Sequence, residues 1–331
     1  MEVTADRSAL SIWVVSDGRA GMENQALGLA EALQRLLPSE ITIKRVRWRA
    51  AFDKLPSSLK APWMLDPSAD APFPKAGEAW PDVWIATGRA TLPLSLMVRR
   101  RSGGKTFVVQ TQDPRWQTGD YDLVVAPHHD GIEGRNILSI TGSPHRISSD
   151  RLAEGAAGFA DVLEPLPHPR VAVLIGGKSR AHDLPEAHAA ALADQIAGAI
   201  ETAGGSLMLT YSRRTPEAAK AAMTARLAHV PGLIWDGTGP NPYFAFLHFA
   251  DQILVTEDSA NMAAEGASTG KPVHILPMVA TKPADKFARL HQDLRNRSTA
   301  RPFDGRLETW TYEPLNETER AARAIIERLQ A

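Results

Sequence analysis

The sequence predicts a two-domain α/β protein built on two parallel β-sheets. Short apolar runs rich in Val, Ile and Leu alternate with helical repeats along most of the 331 residues. Nearly every apolar run ends in glycine or polar residues, which is typical of buried parallel strands whose loops carry ligands. A single hydrophobic core rarely grows to this length, so we expect two domains.

In the first half of the chain, apolar runs and helical repeats alternate from the beginning. Residues 53–79 interrupt this pattern because they are rich in Pro, Ser and Asp, and we expect irregular structure there. The predicted strands are 10–16, 41–48, 82–86, 106–110, 123–126 and 136–140. The predicted helices are 24–37, 92–101 and 149–163.

The densest proline stretch, 164–169, is the predicted linker, since proline stiffens the chain and blocks both helix and sheet. We therefore expect an N-terminal Rossmann-like domain at 1–163 and a C-terminal one at 170–331. The last helix, 316–329, is a candidate to pack back on the N-terminal domain. The strands predicted after the linker are 170–175, 206–211, 232–236, 252–256 and 272–276. The helices are 185–203, 217–228, 242–249, 260–269 and 316–329.

Composition excludes several functional classes. The chain has 37 Lys and Arg against 38 Asp and Glu, for a net charge of -1. A nucleic-acid-binding protein usually shows a strong basic excess, so we expect no nucleic-acid partner. The chain contains no cysteine, which rules out disulfides, thiolate nucleophiles and thiolate metal sites.

The sequence also bears on localisation. Residues 1–7 carry mixed charge and lack the basic start and apolar core of a signal peptide. No apolar run approaches the length of a membrane span. We expect a cytoplasmic protein, and a peripheral contact with the inner membrane stays open.

The loops of the C-terminal domain carry the strongest candidate site. Ligands of open parallel sheets bind beyond the carboxyl ends of the strands. The loops of each domain therefore converge on one edge, and two facing domains would enclose a cleft. The candidate ligand-binding residues of this domain are Gly176, Gly177, Lys178, Ser179, Arg180, Ser212, Arg213, Arg214, Glu257, Asp258, Ser259, Asn261 and Glu265.

Each of these loops suits one part of a nucleotide. Gly176 and Gly177 permit close backbone approach to a diphosphate, and the neighbouring Lys178 and Arg180 add charge. The 213–214 arginine pair suits bidentate phosphate recognition. The alternatives stay open, since a glycine pair is often only a turn and an arginine pair is often a solvated helix start.

A helix that begins after Ser259 completes this candidate site. Its free backbone N–H groups suit a phosphate. Asn261 and Glu265 are four residues apart and share a face of this helix. The Glu265 carboxylate could accept hydrogen bonds from two ribose hydroxyls. A capped helix followed by a turn, with no ligand, is an equally good interpretation of this segment alone.

The N-terminal domain offers an analogous loop at 17–24. Asp17 and Glu23 are the candidate catalytic residues, because a carboxylate could deprotonate an acceptor hydroxyl. Gly18 and Arg19 are candidate substrate contacts. Glu23 alone is more typical of a carboxylate that interacts with a helix dipole. His128, His129 and Asp130 are consecutive, and neighbouring side chains rarely converge on one ion, so we expect no metal site.

Several segments together resemble the mitochondrial-fission "elongated mitochondria" family and its bacterial relatives. The segments are SDGRAGMENQALGLAEAL, LIGGKSR, LTYSRRTPE, NPYFAFLHFAD and VTEDSANMAAEGASTGKPV. The resemblance implies either a factor of the fission machinery or, for the bacterial members, a nucleoside-diphosphate-sugar epimerase. The dinucleotide fingerprint and the Tyr-x-x-x-Lys pair expected of such an epimerase are absent.

The second half also resembles the donor domain of GT-B glycosyltransferases, including enzymes that glycosylate lipid-linked peptidoglycan precursors and the Kdo transferases. This resemblance implies that Gly176, Gly177, Arg213, Ser259 and Glu265 bind the diphosphate and ribose of a nucleotide sugar. The Gly-rich acceptor loop of the peptidoglycan enzyme has no counterpart here, so neither the base nor the acceptor is defined.

The sequence therefore predicts a metal-independent GT-B glycosyltransferase. It would move a sugar from a nucleotide donor to a hydroxyl acceptor that is lipid-linked or part of the cell envelope. The nucleotide sugar is a substrate, and no further cofactor is expected. Two alternatives remain, a non-catalytic membrane-associated adaptor of the fission-factor type and a nucleotide-sugar epimerase that needs no acceptor.

Overall fold

The computed structural model describes residues 9–283 and 285–331. Residues 1–7, on which the localisation prediction partly rests, lie outside this part. The chain divides into two compact domains. Of the described residues, the first contains 9–146 together with Asn316–Ala331, and the second lies within Ile147–Leu315.

The first domain is built on a parallel six-stranded sheet with the strand order β2-β1-β3-β4-β5-β6. The strands are β1 (Leu10–Ser16), β2 (Ser39–Arg45), β3 (Val83–Thr87), β4 (Phe107–Thr111), β5 (Leu123–Pro127) and β6 (Ile137–Ile140). Side chains of β1 alternate between two hydrophobic clusters, with Ile12 and Val14 on one face and Trp13 and Val15 on the other. This alternation follows from the two-residue period of a strand covered on both faces.

The second domain has its own parallel six-stranded sheet, with the order β10-β9-β7-β11-β12-β14. Its strands are β7 (Arg170–Ile175), β9 (Ser206–Tyr211), β10 (Gly232–Ile234), β11 (Gln252–Thr256), β12 (Val273–Leu276) and β14 (Ala300–Pro302). Two short strands, β8 (His182–Asp183) and β13 (Val279–Ala280), form a separate antiparallel pair. Two parallel sheets in two domains confirm the predicted fold class.

Helices cover both sheets. They are α1 (Ala20–Leu36), α2 (Ala50–Asp53), α3 (Leu92–Arg101), α4 (Ser149–Ala156), α5 (Ala160–Leu163), α6 (Glu186–Thr202), α7 (Glu217–Leu227), α8 (Tyr243–Phe249), α9 (Ala260–Ala267), α10 (Asp285–Asn296) and α11 (Glu317–Leu329). Within residues 9–283 and 285–331, no helix is long and apolar enough to cross a membrane.

The domain division differs from the predicted boundary at 163. Helices α4 and α5 belong to the second domain, because Leu163 is buried in its core and Gly155 packs against Phe244 of α8. Proline residues at 164–169 therefore lie inside the second domain rather than between the domains. Helix α11 returns to the first domain, where Ala321, Ala322 and Ile325 are buried in the same cluster as α1.

The sequence patterns missed the elements between 277 and 315. Helix α10 and strands β13 and β14 lie there, and β8 was also not predicted. Strand β2 ends at Arg45 rather than at Trp48, where the prediction placed its end. Strands β8, β13 and β14 have only two or three residues each. Segments this short carry no usable periodicity, which explains why the sequence did not reveal these three strands.

Candidate functional site

The candidate site of the second domain lies at the carboxyl edge of its sheet. Strands β9, β7 and β11 are adjacent and parallel. The loops that follow them therefore emerge side by side, as the sequence predicted for the 176–180, 212–214 and 257–259 segments. The structure brings these three segments into direct contact.

A buried carboxylate, Asp258, joins the three loops. Its side chain is fully buried and accepts hydrogen bonds from the Gly177 N–H at 3.0 Å and the Thr256 hydroxyl at 2.7 Å. The Arg214 guanidinium forms an ion pair with it at 2.8 Å. Protein groups from all three loops thus surround Asp258, which gives it a structural role that the sequence did not reveal.

The glycine pair is required by the same close packing. A Cβ atom on Gly176 would lie 2.0 Å from an Asp258 carboxylate oxygen, and one on Gly177 would lie 2.1 Å from the Arg214 carbonyl oxygen. The Gly176 N–H donates to the Thr256 hydroxyl at 2.7 Å, and the Gly177 N–H donates to Asp258. Both N–H groups therefore bind protein atoms in this structure, while their contact with a diphosphate stays a prediction.

Two arginine side chains at this edge remain available for a ligand. Arg213 and Arg180 are exposed, and neither side chain has a hydrogen-bond or ion-pair partner among the described residues. Lys178 is also exposed and lies 3.4 Å from the Asp183 carboxylate. Ser212 and Ser179 instead accept backbone N–H groups within their own turns, from Arg214 and His182 respectively. The cationic part of the predicted site is thus Arg213 and Arg180, with Lys178 beside them.

Helix α9 begins at the same edge. Ser259 caps it, because its hydroxyl accepts the Met262 N–H at 3.4 Å. Glu257 accepts the Met278 N–H at 2.6 Å and so holds the segment that follows β12. Asn261 lies in the first turn of α9 and is part-buried.

Glu265 lies further along α9 and pairs with a tyrosine of α8. The Tyr243 hydroxyl donates a hydrogen bond to the Glu265 carboxylate. Burial raises the pKa of Glu265 to about 7. A ribose that bound to this carboxylate would share it with Tyr243 or displace the tyrosine hydroxyl. Sequence reasoning did not identify Tyr243 as a partner of Glu265, because the two residues are 22 positions apart and lie on different helices.

The corresponding edge of the first domain has different electrostatics. Asp17 forms an ion pair with Arg19 at 2.6 Å. Glu23 accepts both Nε and Nη2 of Arg45, at 2.8 and 2.9 Å, and also the Ser16 hydroxyl at 3.2 Å. The Arg45 hydrogen bonds lower the pKa of Glu23, despite an opposing effect of burial. A carboxylate bound in this way is a weak proton acceptor, and Asp17 is likewise held by a guanidinium, that of Arg19.

The consecutive histidines lie in a single turn after β5. Residues His128–Asp130 form a 3-10 turn, and Asp130 accepts the Asp113 N–H at 3.4 Å. Among residues 9–283 and 285–331, no three His, Asp or Glu side chains are grouped closely enough to hold a metal ion.

Comparison with known proteins identifies the family. The family model for mitochondrial fission ELM1 matches residues 20–329. The chain belongs to the mitochondrial fission ELM1 family. It is 32% identical over 278 residues to the mitochondrial fission protein ELM1 of Arabidopsis thaliana, a match that covers 76% of this chain but only 64% of the Arabidopsis protein. It is 24% identical to the uncharacterized protein RP120 of Rickettsia prowazekii, over 96% of this chain and 98% of RP120.

Solved structures show which fold this ELM1-family chain shares. A Methanocaldococcus jannaschii UDP-GlcNAc 2-epimerase, solved with UDP-GlcNAc and UDP, matches with a TM-score of 0.52 and 13% identity, over 98% of this chain and 100% of that one. The glycotransferase of kitacinnamycin matches with a TM-score of 0.51 and 15% identity, over 98% and 92%. The chain therefore has a GT-B-like fold, which confirms the predicted fold class and the resemblance to GT-B proteins, while the family model confirms the resemblance to the mitochondrial-fission family. At this identity the likeness shows the fold alone.

Proposed function

We propose that this ELM1-family protein binds a nucleotide sugar in its second domain and transfers the sugar to a hydroxyl acceptor. The observation that carries the proposal is the arrangement at the carboxyl edge of the second sheet. There, Asp258 fixes three loops to one another, while Arg213 and Arg180 extend from the same loops with no hydrogen-bond or ion-pair partner in the part of the chain that the structure describes. A fixed backbone with unpaired arginines suits a diphosphate.

The proposed chemistry follows from the charge that develops on the leaving nucleoside diphosphate. Arg213, Arg180 and the amino end of α9 could stabilise this charge as the glycosidic bond breaks, so the mechanism requires no metal ion. Glu265 would bind the ribose, and it does so best when ionised, because only then are both oxygens acceptors.

The acceptor hydroxyl needs a base, and we assign this role to Asp17 of the first domain. Its partner Arg19 is two-thirds exposed. An exposed ion pair of this kind contributes only about 0–1 kcal/mol, so an acceptor could displace Arg19 from Asp17 at little cost. Glu23 keeps Arg45 in place beside this loop.

The donor site can be tested by thermal unfolding in the presence of UDP-, GDP-, CMP-, ADP- and dTDP-sugars. A ligand that binds only the folded protein raises the melting temperature by mass action. We expect one nucleotide class to stabilise the wild type. Arg213→Gln should lose most of this shift, whereas Arg226→Gln, which removes an exposed charge from the last turn of α7, should keep it. If no nucleotide sugar stabilises the folded wild type, the proposal is wrong.

One observation favours the second candidate, a non-catalytic adaptor of the fission machinery. Both candidate bases are paired, Asp17 with Arg19 and Glu23 with Arg45, and an adaptor needs no base. Asp17→Asn separates the two functions. Loss of sugar transfer with unchanged nucleotide binding supports the enzyme, whereas unchanged behaviour in every assay supports the adaptor. Conversion of a nucleotide sugar without any acceptor would instead identify an epimerase.

A further inference from the structure

A pocket of about 930 Å³ lies wholly within the first domain. Its walls come from the loops after β1, β2 and β3, and from the irregular segment that includes α2. Five cationic side chains and three acidic ones line it, so positive charge is in excess. The cations are Arg19, Arg47, Lys54, Lys60 and Arg89, and the acids are Asp17, Asp53 and Asp66.

Two of these cations are already neutralised by the pocket's own acids. Arg19 is paired with Asp17 at 2.6 Å, and Arg47 with Asp66 at 2.8 Å. Arg89 differs, because it is exposed and its side chain has no partner among the described residues. Its loop is held in place by Trp48, whose indole N–H donates to the Ala90 carbonyl at 2.9 Å.

Lys60 also has unused hydrogen-bonding capacity, and unlike the exposed Lys54 it is buried. It is only 8% exposed, and its amine lies 4.9 Å from the centre of the Trp48 ring. The amine donates one hydrogen bond, to the Asp53 carbonyl at 2.8 Å. An ammonium group has three N–H donors, so two have no protein acceptor among the residues that the structure describes. Burial lowers the pKa of Lys60, and a bound anion would favour its charged form.

We propose that this pocket binds the phosphate group of a phosphomonoester or diphosphate ligand, through Arg89 and Lys60. Phosphate oxygens supply the acceptors that both cations lack, and a guanidinium can bind two of them at once. The interpretation of this pocket as the acceptor subsite of a transferase rests on the proposed function. The proposal that it binds phosphate does not depend on that function.

The phosphate could belong to a soluble molecule or to a lipid. Leu59 and Trp63 lie on the same irregular segment as Lys60, and they are 61% and 62% exposed. Trp63 packs edge-on against Phe52 of α2, with ring centres 5.2 Å apart. Exposed apolar side chains beside a cationic pocket would contact the apolar part of a lipid phosphate.

Fluorine NMR of the full-length protein labelled with 5-fluorotryptophan tests the site locally. The Trp48 signal is assigned from its loss in Trp48→Phe, and pyrophosphate is the probe. We expect pyrophosphate to shift the Trp48 signal of the wild type. Arg89→Gln should raise the midpoint of this titration about tenfold or more, because it removes a charge-assisted hydrogen-bond donor. Arg135→Gln is the matched control, since Arg135 is an exposed arginine of the same domain that lies outside the pocket and whose side chain has no partner among the described residues.

The outcomes separate this site from the donor site. Arg213→Gln should leave the Trp48 titration unchanged even if the nucleotide-sugar proposal fails, because Arg213 does not line the pocket. Among the described residues the Arg89 side chain has no hydrogen-bond or ion-pair partner, so Arg89→Gln should melt close to the wild-type temperature. The proposal is overturned if pyrophosphate does not shift the Trp48 signal, or if Arg89→Gln and Arg135→Gln bind it equally well.

Vesicle binding then identifies the source of the phosphate. The protein is sedimented with phosphatidylcholine vesicles that contain or lack phosphatidic acid. A lipid ligand predicts retention only with phosphatidic acid, and weaker retention for Arg89→Gln and Trp63→Ser. Trp63→Ser should still bind pyrophosphate normally. No retention by either vesicle, together with pyrophosphate binding at the pocket, assigns a soluble phosphate.

Discussion

The carboxyl edges of the two sheets carry carboxylates in different environments. In the second domain, Asp258 is fully buried and bonds to Gly177, Thr256 and Arg214. In the first domain, Asp17 is 19% exposed, and its partner Arg19 is 67% exposed. The two edges follow from the same strand–loop–helix plan, but only one is built around a buried charge.

The comparison indicates that the two edges differ in rigidity. A buried carboxylate that lost its partners would be left desolvated, which makes opening the second edge costly. An exposed ion pair is replaced by water at little cost, so the first edge can open easily. We infer that the edge of the second sheet is preformed, whereas the edge of the first sheet is adaptable.

The largest expected effect comes from removing the two aspartates in turn. Asp258→Ala leaves the Gly177 N–H and the Thr256 hydroxyl without their acceptor, and should lower the free energy of unfolding by about 3–5 kcal/mol. Asp17→Ala is the matched control and should lower it by at most about 1 kcal/mol. Urea unfolding measures both values, and hydrogen exchange of the 171–180 backbone should increase only in Asp258→Ala. Equal losses in the two variants would contradict the difference in rigidity.

An intermediate effect is expected from the glycines of the two edges. A Cβ on Gly177 would meet Arg214 backbone atoms, so Gly177→Ala should force the loops apart and lower the free energy of unfolding by about 2–3 kcal/mol. Gly18 has a positive φ of 78°, and its nearest neighbour is the flexible Arg45 side chain at 3.5 Å. Gly18→Ala should therefore lower the free energy of unfolding by only about 1 kcal/mol, because alanine at this positive φ is strained. Thermal unfolding ranks the two, and a smaller loss for Gly177→Ala would show that the loops adjust.

The smallest effect separates the two glutamates by their pH dependence. The pKa of Glu265 is raised to about 7, so the stability it contributes is present at low pH and is lost as the pH rises from its ordinary value of 4.5 through 7. The free energy of unfolding of Glu265→Gln should thus exceed that of the wild type by about 1–2 kcal/mol at about pH 8. The two values should be similar at about pH 5.

Glu23 should show the opposite pH dependence. Hydrogen bonds from Arg45 lower its pKa, so its contribution is present above 4.5 and is lost as the pH falls. Glu23→Gln should therefore destabilise the protein at neutral pH, with a loss that shrinks on acidification. Urea titrations across this range check both variants. Parallel profiles for the two would mean that their environments do not differ as described.

The sequence was sufficient for the placement of most candidate residues. Apolar runs that end in Gly176, Ser212 and Glu257 predicted three neighbouring loops, and these loops do lie together. Hydrophobic periodicity located the two longest helices, α1 and α6, since their signal repeats over several turns, but it did not locate the 12-residue helix α10. It did not reveal β8, β13 or β14, because two or three residues carry no periodic signal.

The sequence by itself determined the two parallel sheets, the loops that converge on each edge and the family resemblance, because these depend on local periodicity and short motifs. Only the tertiary structure decided how each charged group is used. Arg45 lies 22 residues from Glu23, and Gly177 lies 81 residues from Asp258, yet these contacts define both edges. The hydrogen-bond partners of each charged group depend on which loops, distant in sequence, lie close together in the fold. The local sequence around each group does not determine that proximity.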